Sequence, residues 1–174
     1  DDLYTIDDVG DVIYEYGASG TDTVQSDLTH TLDSNIEILT LTGSSAIDGT
    51  GNSEDNSIAG NAGDNSLDGG TGTDTVIYTG ASSVTVDLSI ATSQSISADQ
   101  GSDTLVSIED VVGSLGDDLI MGRSVANVLS GWYGDDTMYG GNGNDILLGD
   151  HGHVIPGGNI NSINATLGGV DSIF

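Results

Sequence analysis

Aspartate and asparagine recur in this chain at a fixed place within glycine-rich nonapeptides. Residues 69–77 and 140–148 have Gly at positions one, two and four, Asp at position six and an aliphatic residue at position eight. Five further units continue the same frame without gaps, beginning at Gly51, Gly60, Gly113, Gly122 and Gly131. Position six holds Asp or Asn in every unit. The chain therefore carries a regular array of side-chain oxygen atoms that could bind a cation.

Stacked nonapeptides would bring these oxygen atoms into a column. Neighbouring strands lie about 4.8 Å apart, so two carboxylates on adjacent coils repel each other by about 0.9 kcal/mol even at the dielectric constant of water. A cation between them would remove this cost. Carboxylates, together with backbone carbonyls that glycine turns leave accessible, suit Ca²⁺ better than Zn²⁺ or a transition metal, because Ca²⁺ takes about six to eight oxygen ligands. The sequence predicts Ca²⁺ as the cofactor.

The other positions of the nonapeptide indicate the elements that would hold these ligands. Gly at positions one, two and four permits a positive φ and close backbone contact in a tight turn. Positions seven to nine can form a short strand whose central side chain points to one side and whose neighbours point to the other. One aliphatic side chain per unit would then face inward. The pattern predicts an all-β repeat fold with short strands and a thin core.

The charge balance limits the partners of this chain. Its 174 residues include 28 Asp and Glu but a single Arg and no Lys, for a formal net charge of −27. Like-charge repulsion excludes nucleic acid and anionic membrane surfaces as partners, and no apolar run approaches the length needed for membrane insertion. With 36% hydrophobic residues and no cysteine, neither a large core nor disulfides can supply the stability, which leaves bound ions, repetition or disorder as the physical options.

These nonapeptides resemble the repeats-in-toxin (RTX) family, also called hemolysin-type calcium-binding repeats. The resemblance implies a right-handed parallel β-roll in which two nonapeptides make one coil and Ca²⁺ lies between turns 18 residues apart. It also implies export in an extended state and folding outside the cell, hence a secreted or cell-surface location. The strong motifs cover residues 51–77 and 113–148.

The 18-residue rule of that family implies particular metal ligands. It pairs Asp118 with Asp136, Asn127 with Asp145, and Asn56 with Asp74, and it leaves Asn65 without a partner because residue 83 is Ser. The position-four glycines of these sites are Gly72, Gly116, Gly134 and Gly143. Glu54 and Val125 replace Gly at position four in two other units, which departs from the family pattern.

The remaining segments are predicted to belong to the same array. We expect degenerate coils over residues 1–50 that continue an upstream array, the first nonapeptide block over 51–77, a spacer of longer coils over 78–112, and the second block over 113–148. Residues 149–174 are expected to be an irregular segment that leads into a further repeat. The whole chain would then be a segment of a longer protein.

A few residues outside the repeat pattern could have other roles. Arg123 could neutralise carboxylates in place of an ion, or it could be a solvated surface charge. Trp132 and Tyr133 could contact a protein or glycan, or they could fold over a neighbouring coil. His151 and His153 could bind zinc, although an exposed loop explains them as well. No Gly-x-Ser-x-Gly motif supports a hydrolytic site.

The sequence thus favours a calcium-binding module of a secreted repeat protein of adhesin, matrix or surface type, with no enzyme activity of its own. The alternative is a calcium-dependent secretion and folding tail of an extracellular enzyme, such as a protease or lipase, whose catalytic domain lies outside this chain. In either case the expected partners are calcium ions and adjoining repeats.

Overall fold

The computed structural model describes residues 1–15, 17, 19–150 and 172–173. Within these residues the regular structure consists of β-strands. In chain order the strands are β1 (Leu3–Ile6), β2 (Thr23–Ser26), β3 (His30–Thr31), β4 (Ile38–Leu41), β5 (Gly49–Thr50), β6 (Ser57–Ala59), β7 (Ser66–Asp68), β8 (Thr75–Ile77), β9 (Thr85–Asp87), β10 (Gln94–Ser97), β11 (Gly101–Val106), β12 (Asp110–Val112), β13 (Leu119–Met121), β14 (Val128–Trp132), β15 (Thr137–Tyr139), β16 (Ile146–Asp150) and β17 (Ser172–Ile173).

The strands stack as the successive turns of a solenoid. One face is an eight-stranded sheet in the order β1-β2-β4-β6-β8-β12-β14-β16, and all of its neighbouring strands are parallel. The remaining strands form two shorter sheets, β10-β11-β7-β5-β3 and β17-β15-β13-β9. The predicted all-β, parallel roll of short strands is confirmed. The described residues contain no helix long and apolar enough to cross a membrane.

Strand register follows the nonapeptide frame. Ser57 pairs with Thr75, Leu119 with Thr137 and Val128 with Ile146, each an offset of 18 residues. Two nonapeptides therefore complete one turn of the solenoid, because the next strand on the same face comes after two units. This register places equivalent positions of successive turns directly above one another.

The spacer between the two nonapeptide blocks follows a longer path. Strand β9 pairs with β13, and β11 pairs with β7, so the chain moves forward along the solenoid and then returns before it enters β12. The return uses strand β10, which is antiparallel to β11. A short connection can join neighbouring strands only in the antiparallel direction, which explains this departure from the parallel arrangement. The spacer raises the offset between β7 and β11 to 38 residues, from Ser66 to Thr104.

A single row of aliphatic side chains forms the core within the nonapeptide blocks. The position-eight residues are all buried, at 5% exposure or less: Ile58, Leu67, Val76, Ile120, Leu129, Met138 and Leu147. Burial of each such side chain contributes about 1.5–3 kcal/mol. The prediction of one inward aliphatic residue per unit is confirmed. In the spacer, Tyr78, Val84 and Val86 continue this core.

Candidate metal centre

A column of acidic and amide side chains runs along one edge of the eight-stranded sheet. The residue directly before each of its eight strands is Asp, Glu or Asn. We call this set the carboxylate column, and its members in spatial order are Asp2, Asp22, Glu37, Asn56, Asp74, Glu109, Asn127 and Asp145. Parallel register stacks these positions, because each residue enters its strand at the same level of the turn.

The three predicted pairs are brought together by direct hydrogen bonds. Two pairs lie in the carboxylate column, where the backbone N–H of Asn56 donates to Oδ1 of Asp74 at 2.8 Å and that of Asn127 donates to Oδ1 of Asp145 at 3.1 Å. The third pair lies before β13 and β15, where the N–H of Asp118 donates to Oδ1 of Asp136 at 3.0 Å. The 18-residue rule therefore identifies true spatial neighbours, while their role as metal ligands stays a prediction.

Sequence reasoning missed several members of the column. The N–H of Asp22 donates to Oε2 of Glu37 at 2.8 Å, and that of Asp74 donates to Oε2 of Glu109 at 3.0 Å. Glu37 and Glu109 directly precede β4 and β12, the position that Asp or Asn holds before the other strands of the sheet. The signal was the similarity of residues 35–39 and 107–111, where each Glu precedes an apolar strand.

The expectation that Asn65 has no partner is wrong. Its backbone N–H donates to Oδ1 of Asp103 at 3.0 Å, across an offset of 38 residues. The 18-residue rule fails here because the chain inserts β9 and β10 before it returns to the level above β7. Asp103 is fully buried, and its Oδ2 accepts a hydrogen bond from the Tyr78 hydroxyl at 3.2 Å. Burial raises the pKa of Asp103 to about 6, although both of these donors oppose the shift.

Glycines at positions two and four pack against carbonyl groups of the preceding turn. A Cβ atom added to Gly134 would lie 2.6 Å from the carbonyl oxygen of Gly116, and one added to Gly72 would lie 2.7 Å from that of Glu54. A Cβ atom added to Gly143 would likewise collide with the carbonyl oxygen of Val125. A side chain at these glycines would collide with the carbonyl groups, so glycine lets successive turns approach closely beside the position-six side chains.

Asp74 shows that the site has unused ligand capacity. Its side chain is fully buried, and its Oδ2 has no hydrogen-bond partner. Burial raises the pKa of Asp74, and the N–H of Asn56 only partly opposes this shift. A buried carboxylate is costly unless it is paired or bound to a metal ion. Together with the nearby carbonyls, this oxygen-only donor set fits a hard divalent cation such as Ca²⁺.

A family model for the RTX calcium-binding nonapeptide repeat matches the chain in four copies, over residues 50–80 and 112–147. The chain carries RTX repeats. The two matched ranges cover the two nonapeptide blocks and leave the spacer between them. No curated protein matches the chain. Within a parallel solenoid, RTX repeats imply a calcium-binding β-roll module.

Arg123 contacts a member of the carboxylate column. Its guanidinium forms an ion pair with the Glu109 carboxylate, and the two side chains are 29% and 18% exposed. Of the two interpretations of Arg123, the structure therefore supports the one in which it neutralises a carboxylate of the RTX array. His151 and His153 lie outside the described residues.

Trp132 ends strand β14 on the outer side of the eight-stranded sheet, and Tyr133 follows it. Their rings are 5.9 Å apart and nearly perpendicular, at 75°. Trp132 lines a groove of about 430 Å³ together with Val112, Val128 and Leu148, which belong to three adjacent strands. Trp132 therefore lies beside neighbouring coils, while Tyr133 is 36% exposed.

Proposed function

We propose that this chain is a calcium-dependent β-roll module of a secreted protein of adhesin, matrix or surface type, and that it folds outside the cell when Ca²⁺ binds. The observation that carries the proposal is the buried Asp74 carboxylate, whose second oxygen has no hydrogen-bond partner in a site made of oxygen atoms. The ligands would be the paired position-six side chains and the carbonyls of the glycine turns.

The charge of the chain explains why folding would wait for the ion. At a formal charge of −27, stacking the carboxylate column without cations brings like charges together around a core only one aliphatic residue thick. Chains of low hydrophobicity and high net charge remain disordered in the absence of a compensating partner. An ion that binds only the folded form then shifts the equilibrium by mass action.

The expected affinity supports folding outside the cell. Calcium sites of extracellular modules have dissociation constants of about 10⁻⁴–10⁻³ M, and two of the three proposed pairs contain one amide ligand in place of a carboxylate. Such sites would stay empty in cytosol and fill after export. A folding midpoint below about 10⁻⁶ M would contradict this part of the proposal.

Far-ultraviolet circular dichroism tests the proposal directly. The chain in excess chelator should give a disordered spectrum, and the addition of Ca²⁺ should produce a strong β spectrum. Sodium chloride at matched ionic strength is the control, because it screens charges without filling the sites. A strong β spectrum in excess chelator would contradict calcium-dependent folding.

The outer groove favours a binding module over a secretion tail of an enzyme. A Trp side chain beside an apolar groove and an exposed Tyr next to it offer the amphipathic surface typical of contacts with glycans or proteins. A secretion tail would need no such surface. Binding of the calcium-loaded chain to a panel of neutral glycans, compared with Trp132→Ser, tests this preference. Equal binding by the two forms would remove it.

A further inference from the structure

The seven nonapeptide turns are of two kinds, which their backbone angles distinguish. In three turns both position two and position four have positive φ, and we call these the open turns. They are residues 69–77 (Gly70 at 94°, Gly72 at 131°), residues 131–139 (Trp132 at 76°, Gly134 at 116°) and residues 140–148 (Gly141 at 85°, Gly143 at 144°). The turns that begin at Gly51, Gly60, Gly113 and Gly122 lack this left-handed pair, and we call them the closed turns.

Each closed turn satisfies its own position-six side chain. The backbone N–H at position two donates to the side-chain oxygen at position six of the same turn. The four bonds are Asn52 to Asn56 at 2.7 Å, Asn61 to Asn65 at 2.9 Å, Ser114 to Asp118 at 2.6 Å and Arg123 to Asn127 at 2.9 Å. Three of these four position-six residues are amides, so most closed turns carry no charge at position six.

In three closed turns the position-two side chain also reaches the preceding coil. The amide of Asn52 donates to the carbonyls of Asp33 and Ile36 at 2.7 and 2.8 Å. The amide of Asn61 donates in the same way to two carbonyls of its preceding coil, at 2.9 and 3.0 Å. Arg123 extends its guanidinium to the Glu109 carboxylate one level away. These oxygen atoms of the preceding coil therefore already have N–H donors from the chain.

The open turn at 69–77 has the opposite arrangement. The N–H of Gly70 donates to Oδ1 of Asp68 at 3.1 Å instead of to Asp74, and Oδ2 of Asp74 is buried without a hydrogen-bond partner. The carbonyl oxygen of Glu54, from the preceding coil, faces Gly72. Position six is Asp in all three open turns, whereas it is Asn in three of the four closed turns.

We infer that position two of each nonapeptide decides whether the joint to the preceding coil binds Ca²⁺. Each open turn takes one ion that it shares with the coil below it. Asn52, Asn61 and Arg123 are built-in replacements for the ion, because their side chains supply N–H donors to the oxygen atoms of the preceding coil. This inference rests on the proposed calcium-dependent function, and it assigns the ions of the nonapeptide blocks to three joints.

The decisive experiment converts a closed turn into an open one. The substitutions Arg123→Gly, Val125→Gly and Asn127→Asp, made together, remove the guanidinium and supply the glycines and the carboxylate of an open turn. Native mass spectrometry with Ca²⁺ alone should show one more bound ion than in the parent chain. The same number of ions in a variant with a full β spectrum would overturn the inference, and so would failure of this variant to fold at saturating Ca²⁺.

The reverse change closes an open turn. Gly70→Asn should lose one ion. Gly70→Ala is its matched control and should keep the ion, because it places the same Cβ against the carbonyl oxygen of Asn52 but has no amide that could donate. Retention of the full ion count by Gly70→Asn would also contradict the inference. A parent chain that binds no Ca²⁺ would instead contradict the proposed function, so the two failures can be told apart.

Discussion

At the scale of single residues, burial rather than charge distinguishes the acidic side chains that matter for the fold. Most of the 28 Asp and Glu residues need no partner in water, but five are 3% exposed or less: Asp22, Asp74, Asp103, Asp118 and Asp136. Two of them satisfy their oxygens with donors from the chain, such as the Tyr78 hydroxyl at Asp103 and the Ser114 hydroxyl at Asp118. Such donors lower the cost of burying a carboxylate, whereas Asp74 has one oxygen left over.

The contribution of Asp103 to folding stability should depend on pH. Its pKa of about 6 in the folded chain exceeds the ordinary value of 3.8, so its protonated form stabilises the fold below pH about 4, and this contribution is lost as the pH rises through about 6. The difference of about two pKa units corresponds to at most about 3 kcal/mol. Asp103→Asn keeps Oδ1 as the acceptor for the Asn65 N–H, and its Nδ2–H can donate to the Tyr78 hydroxyl oxygen. The substitution should therefore stabilise the calcium-loaded chain at pH 7 but not at pH 4.

Urea unfolding of the two forms at both pH values measures this effect. A variant that is less stable than the parent at pH 7, with fewer bound ions, would show instead that Asp103 is a calcium ligand.

At the scale of strands and turns, the nonapeptide frame determines most of the structure. Positions seven to nine of the units that begin at Gly51 and Gly60 coincide fully with β6 and β7. This prediction succeeds because the glycines fix where each turn ends and the single aliphatic residue fixes which side faces inward. The two kinds of turn were not predicted, because positive φ at Trp132 is not expected for a residue with a Cβ atom.

In the spacer, strand pairing could not be predicted from the sequence. The alternation of apolar and polar residues around Val86 predicts a strand, but it carries no information on which coil that strand pairs with. The pairing of Asn65 with Asp103 depends on a return of the chain through β10. Glu37 and Glu109 were missed because a longer acidic side chain reaches the column from a coil without the glycine frame.

In the second nonapeptide block, calcium-dependent folding should depend on Asp136. Asp136 is fully buried and accepts the N–H of Asp118, so Asp136→Ala should lose one ion and weaken both adjoining turns, because a solenoid is stabilised mainly by contacts between neighbouring repeats. The calcium concentration at half folding, followed by circular dichroism, should rise several-fold. Asp27→Ala is the control, because Asp27 is exposed. Equal midpoints for the two variants would show that the ion does not depend on the Asp118–Asp136 pair.

At the scale of the whole molecule, the roll balances a thin core against the repulsion of its carboxylates. The core provides one buried aliphatic side chain per nonapeptide, which is little compared with the conformational entropy of ordering nine residues. Cations are one way to reduce the repulsion, and the ion pair of Arg123 with Glu109 is another. Protonation is a third way, since it removes the same charges without any metal.

This balance predicts that acid can partly replace calcium. Burial raises the pKa of Asp74, Asp103, Asp110 and Asp118 in the folded chain. Between the ordinary value of about 4 and the raised values, the folded form holds protons that the unfolded form has released, so folding becomes more favourable as the pH falls. In excess chelator, the β spectrum should therefore be weak at pH 7 and should grow as the pH is lowered to about 5.

Sedimentation must show a monomer throughout, because aggregates also give β spectra. Asp103→Asn should reduce the pH dependence, since it removes the acid with the pKa of about 6. A monomeric chain whose spectrum stays disordered from pH 7 to pH 5 would show that charge neutralisation is insufficient and that folding requires the ion as a ligand bridge between turns.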